Sequence, residues 1–174
     1  TYLEFGLKPR SYVLTTLHRP SNVDHRENLL KIAALLEELA TKTPLIFPIH
    51  PRTRKNMEAQ GLDLARIKGI VVCDPLPYCK FMSLLFNCDF VLTDSGGIQE
   101  ETTYLGIPCL TLRENTERPI TVTLGTNRLC HLDEAAAQAE LILQGQRPRG
   151  RVPELWDGRT AARIVEAIRQ VSQA

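Results

Sequence analysis

Two stretches of the chain concentrate groups suited to gripping an anion. Ser95-Gly96-Gly97 stands where an apolar run, Phe90–Thr93, gives way to a helical pattern. Glycine lets a backbone approach a phosphate without a Cβ clash, and a following helix turns free N–H groups and its positive dipole end outward. The Ser95 hydroxyl adds one donor, although the same three residues would also make an ordinary strand-to-helix turn. Glu100 and Glu101 are expected in the first turn or so of that helix. They would either offset its dipole, worth about 0.3–1 kcal/mol, or turn one carboxylate to a neutral diol, as acidic residues do with ribose. A carboxylate aimed at pyrophosphate would be repelled.

His18-Arg19 follows a second apolar run. A single histidine there is as readily structural, but beside an anion pocket an imidazolium could stabilise a leaving phosphate or shuttle a proton. Arg118, in Thr116-Glu117-Arg118-Pro119, has the fork to clamp a phosphate, or it would pair at the surface with Glu114 or Glu117. His50 could do no more than hydrogen-bond between adjacent loops. Phe81, just past Asp74-Pro75-Leu76-Pro77, is either core or a stacking surface for a base.

The elements that must position these groups are short apolar strands alternating with helices. Strands are expected at Tyr12–Leu17, Leu45–Ile49, Ile70–Cys73, Phe90–Thr93, Pro108–Leu112 and about Arg128–Leu132. They are continuously apolar, as when helices cover both sheet faces. The clearest helix runs from Arg26 to Ala40, with Leu29, Ile32, Ala33, Leu36 and Leu39 on one face. Asp24, followed by Glu27 in the first turn, gives it an Asp-x-x-Glu start close to a capping box. Further helices are expected at Arg52–Gln60, Tyr78–Asn87, Ile98–Leu105, Asp133–Leu143 and about 159–171. This alternation predicts right-handed βαβ units, hence an α/β fold with a Rossmann-like parallel sheet covered on both faces. In such a sheet ligands bind at the carboxyl ends of the strands. The residues after each strand include His18-Arg19, His50-Pro51, Asp74-Pro75, Asp94-Ser95 and Arg113 to Pro119, so one edge gathers the chemistry. Gln144–Pro153, rich in Gly and Pro, reads as a surface connection, after which the final helix is free to pack elsewhere.

Composition narrows the function classes. The chain has 174 residues, 43% hydrophobic and 24% charged, with 21 Lys and Arg against 20 Asp and Glu for a formal charge of +1. That length suits one domain. A balance so near neutrality argues against a nucleic acid or anionic membrane partner, either of which needs concentrated Lys and Arg. No run approaches the roughly 18 apolar residues of a membrane span, and the first residues lack a signal-peptide pattern. The 5 cysteines, none at C-x-x-C spacing, suggest neither disulfides nor zinc but reduced thiols in a cytoplasmic protein. The chain starts at Thr1 rather than Met, which fits a piece of a longer polypeptide.

At these residues the sequence resembles the carboxyl-terminal half of the non-hydrolysing UDP-N-acetylglucosamine 2-epimerases. The resemblance is carried by Thr16-Leu17-His18-Arg19, Pro48-Ile49-His50-Pro51, Asp74-Pro75-Leu76-Pro77-Tyr78 with Phe81, and Leu92-Thr93-Asp94-Ser95-Gly96-Gly97-Ile98-Gln99-Glu100-Glu101. It continues through Leu105-Gly106-Ile107-Pro108, Leu112–Pro119, Gly125-Thr126-Asn127 and Asp157-Gly158-Arg159. It implies a two-domain GT-B fold of which this chain, residues 1–174, is the C-terminal nucleotide-sugar-binding domain, the final helix at about 159–171 being free to pack toward the N-terminal one. It further implies that Ser95, Gly96 and Gly97 hold the diphosphate of UDP, Glu101 the ribose hydroxyls and Arg118 the phosphates, with Arg19 among the UDP-binding residues. Pro75 and Phe81 would receive uracil, and His18 would be the catalytic histidine, with His50, Asp94 and Glu117 in support. The implied reaction interconverts UDP-GlcNAc and UDP-ManNAc by elimination and re-addition of UDP, with no cofactor and no metal, in a homodimer. The family's acid and base carboxylates belong to the amino-terminal half, so this chain alone is expected to bind UDP weakly and not to epimerise. The first loop departs from many bacterial members, reading His18-Arg19-Pro20-Ser21-Asn22 where they have His-Arg-Arg-Glu-Asn, which bears on a second UDP-GlcNAc site of some relatives. Other readings are the donor half of a GT-B glycosyltransferase, a hydrolysing epimerase, and a nucleotide-sugar-binding module without catalysis.

Overall fold

A computed structural model describes residues 1–172. Six four-residue strands, β1 (Val13–Thr16), β2 (Leu45–Pro48), β3 (Ile70–Cys73), β4 (Phe90–Thr93), β5 (Cys109–Leu112) and β6 (Asn127–Cys130), form one sheet in the order β3-β2-β1-β4-β5-β6. Every pair is parallel. This is the doubly wound Rossmann order, and the chain reverses its direction of winding between β1 and β4, where such folds bind ligands. The strands lie within the expected ranges apart from β6, which starts one residue early at Asn127.

The helices are α1 (Pro20–Val23), α2 (Arg26–Ala40), α3 (Pro51–Ala59), α4 (Tyr78–Asn87), α5 (Gly96–Leu105), α6 (Pro119–Thr123), α7 (Leu132–Leu143) and α8 (Thr160–Ser172). The bounds of α2 and α4 are those read from periodicity. The one-turn α1 and α6 were not anticipated. Each opens on a proline, whose fixed φ suits the first helical position.

Side chains alternate across each strand, so neighbours in sequence enter different cores. Val13, Leu45, Phe47, Phe90, Leu92 and Leu110 pack with Leu29, Ile32, Leu36 and Leu39 of α2 and Ala135 and Ala139 of α7. On the other face Leu14, Ile46, Val91 and Cys109 pack with Leu84 and Leu85 of α4 and Ile98 of α5. Truncating one of the fully buried leucines to alanine would cost about 2–5 kcal/mol, and this two-sided support holds the strand ends in place.

The expected capping box before α2 does not form. His25 is the N-cap and makes no side-chain cap bond. Asp24 instead accepts from Nε of Arg52 at 2.8 Å and Nδ2 of Asn56 at 3.1 Å, because α3 lies close enough to offer charged and amide donors. The connection Gln144–Pro153 is mostly exposed, yet it is pinned: Arg151 N–H donates to the Leu124 carbonyl at 2.8 Å. A Cβ on Gly150 would come within 2.6 Å of the Gly125 carbonyl oxygen. All five cysteines are free, three of them buried. No described helix is long and apolar enough to cross a membrane.

The last helix stands apart. None of its described residues is buried, and Ile164, Val165, Ile168 and Val171 are all exposed, Val171 to 78%.

Candidate functional site

The site grows from the end of β4. Asp94 follows the strand directly and is fully buried. Its Oδ2 accepts from the amides of His18 at 3.0 Å and Arg19 at 2.9 Å and from Nδ2 of Asn22 at 3.1 Å. Its Oδ1 lies 2.9 Å from Nδ1 of His18. Burial raises the Asp94 pKa, but the bonds from His18, the Arg19 amide and Asn22 outweigh it, and the carboxyl is held below its usual range. The same bond is the main reason the His18 pKa is raised, against an opposing effect of burial.

Ser95 is the N-cap of α5, in extended conformation, and its side chain makes no capping bond. Instead its own amide donates to Oγ1 of Thr93 at 3.0 Å. The next amides, of Gly96, Gly97 and Ile98, donate to no side chain and to no backbone group outside the helix among the described residues. Nothing lies within 4 Å of where a Cβ would stand on Gly96 or Gly97. The turn is therefore open, with free donors and the positive end of a ten-residue helix behind it. Two depressions are lined by residues of the neighbouring loops and of the later turns of α5, and neither lining includes Ser95, Gly96 or Gly97. One, of about 410 Å³, is lined by Arg19, Asn22, Arg113 and His131. The other, of about 530 Å³, is lined by Tyr78, Glu101, Tyr104 and Trp156.

α5 begins two residues earlier than periodicity suggests, so Glu100 and Glu101 fall in its second turn and the first turn holds no acid. Compensation of the dipole is thereby weakened as an explanation for them. Glu101 is half-buried, and burial pushes its carboxyl above the usual range. It faces Tyr78, whose hydroxyl is raised in turn by the nearby Glu101 charge. Glu100 pairs with Arg118, Oε1 to Nε at 2.9 Å. Neither of the carboxylates considered for Arg118, those of Glu114 and Glu117, pairs with it, since α5 presents Glu100 directly to the loop after β5; Arg118 reaches Glu117 only at its backbone carbonyl, through Nη1 at 3.5 Å.

Glu117 is taken by other cations. Its Oε1 lies 3.1 Å from Arg19 and its Oε2 2.7 Å from Arg113, and the Arg113 bond foremost lowers its pKa to about 2. This exposed carboxylate thus links the loop after β1 to the loop after β5. Arg19 reaches back as well, Nε donating to the Asp94 carbonyl at 3.1 Å.

His50 does not bridge two loops. Its Nδ1 accepts from the amide of Arg52 at 3.2 Å, so it caps its own helix α3. Its ring does approach His18, with centroids 5.9 Å apart. Pro75 is exposed on the loop after β3, and Phe81 is half-buried in the first turn of α4 against the core. No bond ties either to the Ser95–Gly97 turn.

Sequence reasoning passed over the residues that hold the shelf together. Gln99, fully buried, donates through Nε2 to the Ser95 carbonyl at 3.2 Å. Its Oε1 accepts from Oγ1 of Thr116 at 2.7 Å and from Nδ2 of Asn127 at 3.0 Å. Thr116 Oγ1 in turn accepts from the Arg118 amide at 2.9 Å, and Asn127 Oδ1 accepts from Thr111 at 2.6 Å. Asn22 fastens the Asp94 carboxylate to the Leu112 carbonyl, the latter at 3.0 Å. A buried amide bonded at every atom is a scaffold, and this one joins the glycine turn to the Arg118 loop. The one signal available was the placement of Gln99 a turn beyond Ser95 on the same helix face. Among the described residues no group of three or more His, Cys, Asp or Glu could hold a metal.

Comparison with known proteins puts this arrangement in context. The sequence model of the family described as UDP-N-acetylglucosamine 2-epimerase matches residues 2–169. A UDP-N-acetylglucosamine 2-epimerase of Methanococcus maripaludis is 42% identical over 130 residues, 72% of this chain and 36% of that protein. That of Methanocaldococcus jannaschii is 39% identical over 162 residues, 90% of this chain and 44% of that one. A structure of the M. jannaschii UDP-GlcNAc 2-epimerase matches with a TM-score of 0.80 at 36% identity, covering 95% of this chain and 48% of the other. A second, in complex with UDP-GlcNAc and UDP, gives 0.75 at 37% identity over 90% and 45% of the two chains. The chain thus spans less than half the length of these relatives.

Proposed function

The chain belongs to the UDP-N-acetylglucosamine 2-epimerase family, and we propose that it is the nucleotide-binding half of an enzyme that interconverts UDP-GlcNAc and UDP-ManNAc. The observation that carries this reading is the open glycine turn at the sheet's reversal point, with donors free and nothing above Gly96 and Gly97. A diphosphate fits such a shelf on general grounds. Ser95, Gly96 and Gly97 would hold it, with Arg118 and Arg19 adding charge. Glu101, half-buried and facing the groove with Tyr78 and Trp156, would accept the two ribose hydroxyls. Pro75 and Phe81 would flank the base.

The chemistry needs a departing anion to be stabilised. The C2 proton leaves to a base, the C2–H electrons form the C1=C2 bond of 2-acetamidoglucal, and the C1–O pair departs with UDP. Return of a proton to the opposite face of C2 and of UDP to C1 gives the epimer. His18, held toward its cationic form, would sit at the departing β-phosphate together with the α5 amides, a preorganised electrostatic contribution. The acid and base that handle the C2 proton are placed in the other half of the protein. The exposed apolar stripe of α8 supports docking on that half, and a homodimer of the whole is part of the same reading.

The experiment is a titration of the chain with UDP followed by amide NMR. Shifts centred on Ser95–Glu101 at up to millimolar UDP are expected. A spectrum unmoved there would overturn the assignment of the phosphate shelf.

A further inference from the structure

Four N–H groups converge on one carboxylate that no solvent reaches. Asp94 has no exposed surface, and it accepts from the amides of His18 and Arg19, from Asn22 and from the His18 ring. The His18 side chain, by contrast, is 43% exposed. Only the Nδ1 edge of the imidazole is therefore tied into the fold. Among the described residues no protein group takes up Nε2.

We propose that Asp94 is the positioning residue of this site: by accepting from Nδ1–H it fixes the tautomer and tilt of the His18 ring, so that Nε2 is the nitrogen offered to the nucleotide. This rests on the reading of the glycine turn as a phosphate shelf, because it assigns Nε2 something to act on. The reasoning is the general one for a buried carboxylate behind an imidazole: it orients the ring and favours the charged form without itself gaining the proton.

The surroundings agree. The other charged or titratable groups beside His18 are Arg19, whose charge opposes the imidazolium but whose guanidinium is drawn off to Glu117, and His50. The latter's Nδ1 accepts from the Arg52 amide, which leaves the proton of the neutral ring on Nε2. Two histidines 5.9 Å apart are thus held by their first nitrogens in opposite senses, one as donor and one as acceptor.

The test begins with the unmodified chain. Nitrogen-15 spectra of the histidine rings across pH should show His18 releasing its proton from Nε2 and keeping Nδ1–H when neutral. A neutral His18 protonated on Nε2 would overturn the proposal. In the full-length protein Asp94→Asn should then lower kcat about 100-fold, the scale of a displaced general acid or electrostatic group, with KM for UDP-GlcNAc changed less than about threefold, since uniform binding is untouched. The His18 titration should move to lower pH in that variant. An Asp94→Asn enzyme with normal kcat or an unmoved His18 titration would also overturn it. Should the variant not fold, the tautomer of the unmodified chain decides alone. A failure of UDP to bind would sink the phosphate reading and leave the tautomer result standing, so the two outcomes are separable.

Discussion

Nε of Arg118 lies 2.9 Å from Oε1 of Glu100, so the guanidinium proposed for the phosphates already has an anionic partner on α5. Both side chains are about 40% exposed, and such a pair is worth no more than about 1 kcal/mol. A diphosphate therefore competes with a weak bond, but with one that also places a negative charge beside its own. Glu100→Gln is expected to tighten UDP binding by up to about fivefold, the factor that 1 kcal/mol allows. Calorimetry with UDP checks this, and weaker binding would recast Glu100 as the group that aims Arg118.

Two glycines should respond in opposite ways. A Cβ on Gly97 meets nothing within 4 Å, whereas one on Gly125 would lie 2.5 Å from the Thr121 carbonyl oxygen and collide with the Thr103 side chain. Gly97→Ala should fold with unchanged or slightly higher thermal stability, since alanine gains about 0.5–1 kcal/mol in a helix, yet lose UDP affinity about tenfold or more. Gly125→Ala should lose about 1–3 kcal/mol. Thermal melts paired with UDP titration separate the two.

Glu101→Ala is expected to weaken UDP by about ten- to a hundredfold, the net value of about one hydrogen bond to a charged acceptor at this half-exposed position, and to leave inorganic pyrophosphate binding as it was. Equal losses for both ligands would move Glu101 from the ribose to the phosphates.

In the full-length protein His18→Ala should cost far more in turnover than in UDP affinity. The pH dependence has a definite sign. A raised His18 pKa keeps the imidazolium above the ordinary 6.5, so activity that needs it falls as pH rises through the folded value. Its contribution to stability is complete below 6.5 and disappears over that same rise. Asp94, lowered from 3.8, contributes above 3.8 and loses its contribution as pH falls through its depressed value. The difference in urea midpoint between the unmodified chain and His18→Ala should accordingly be largest between pH 3.8 and 6.5 and shrink on either side.

The fold was readable wherever hydrophobic spacing ran long enough to be periodic. α2 carries Leu29, Ile32, Leu36 and Leu39 into one core, and its ends could be read to the residue. α1 and α6, four and five residues long, fall below one full repeat and left only their prolines as a trace. That the loops carrying the candidate residues gather at one edge was legible, because the strands they follow are parallel. Their pairings were not. Whether Arg118 meets Glu100 or Glu117, and whether Asp24 caps α2 or receives Arg52, depends on which helix packs alongside. The amide network of Gln99, Asn127 and Asn22 left no mark beyond the helical spacing of Gln99 from Ser95, since a buried polar side chain interrupts the apolar pattern in the same way as an exposed one.

That network has a thermodynamic corollary. Because Gln99 ties the Ser95 carbonyl to Thr116 and thence to the backbone of Arg118, the freedom of both loops is surrendered when the chain folds and not when a guest arrives. Association should resemble a key entering a finished lock: quick, and with backbone displacements under about 1 Å.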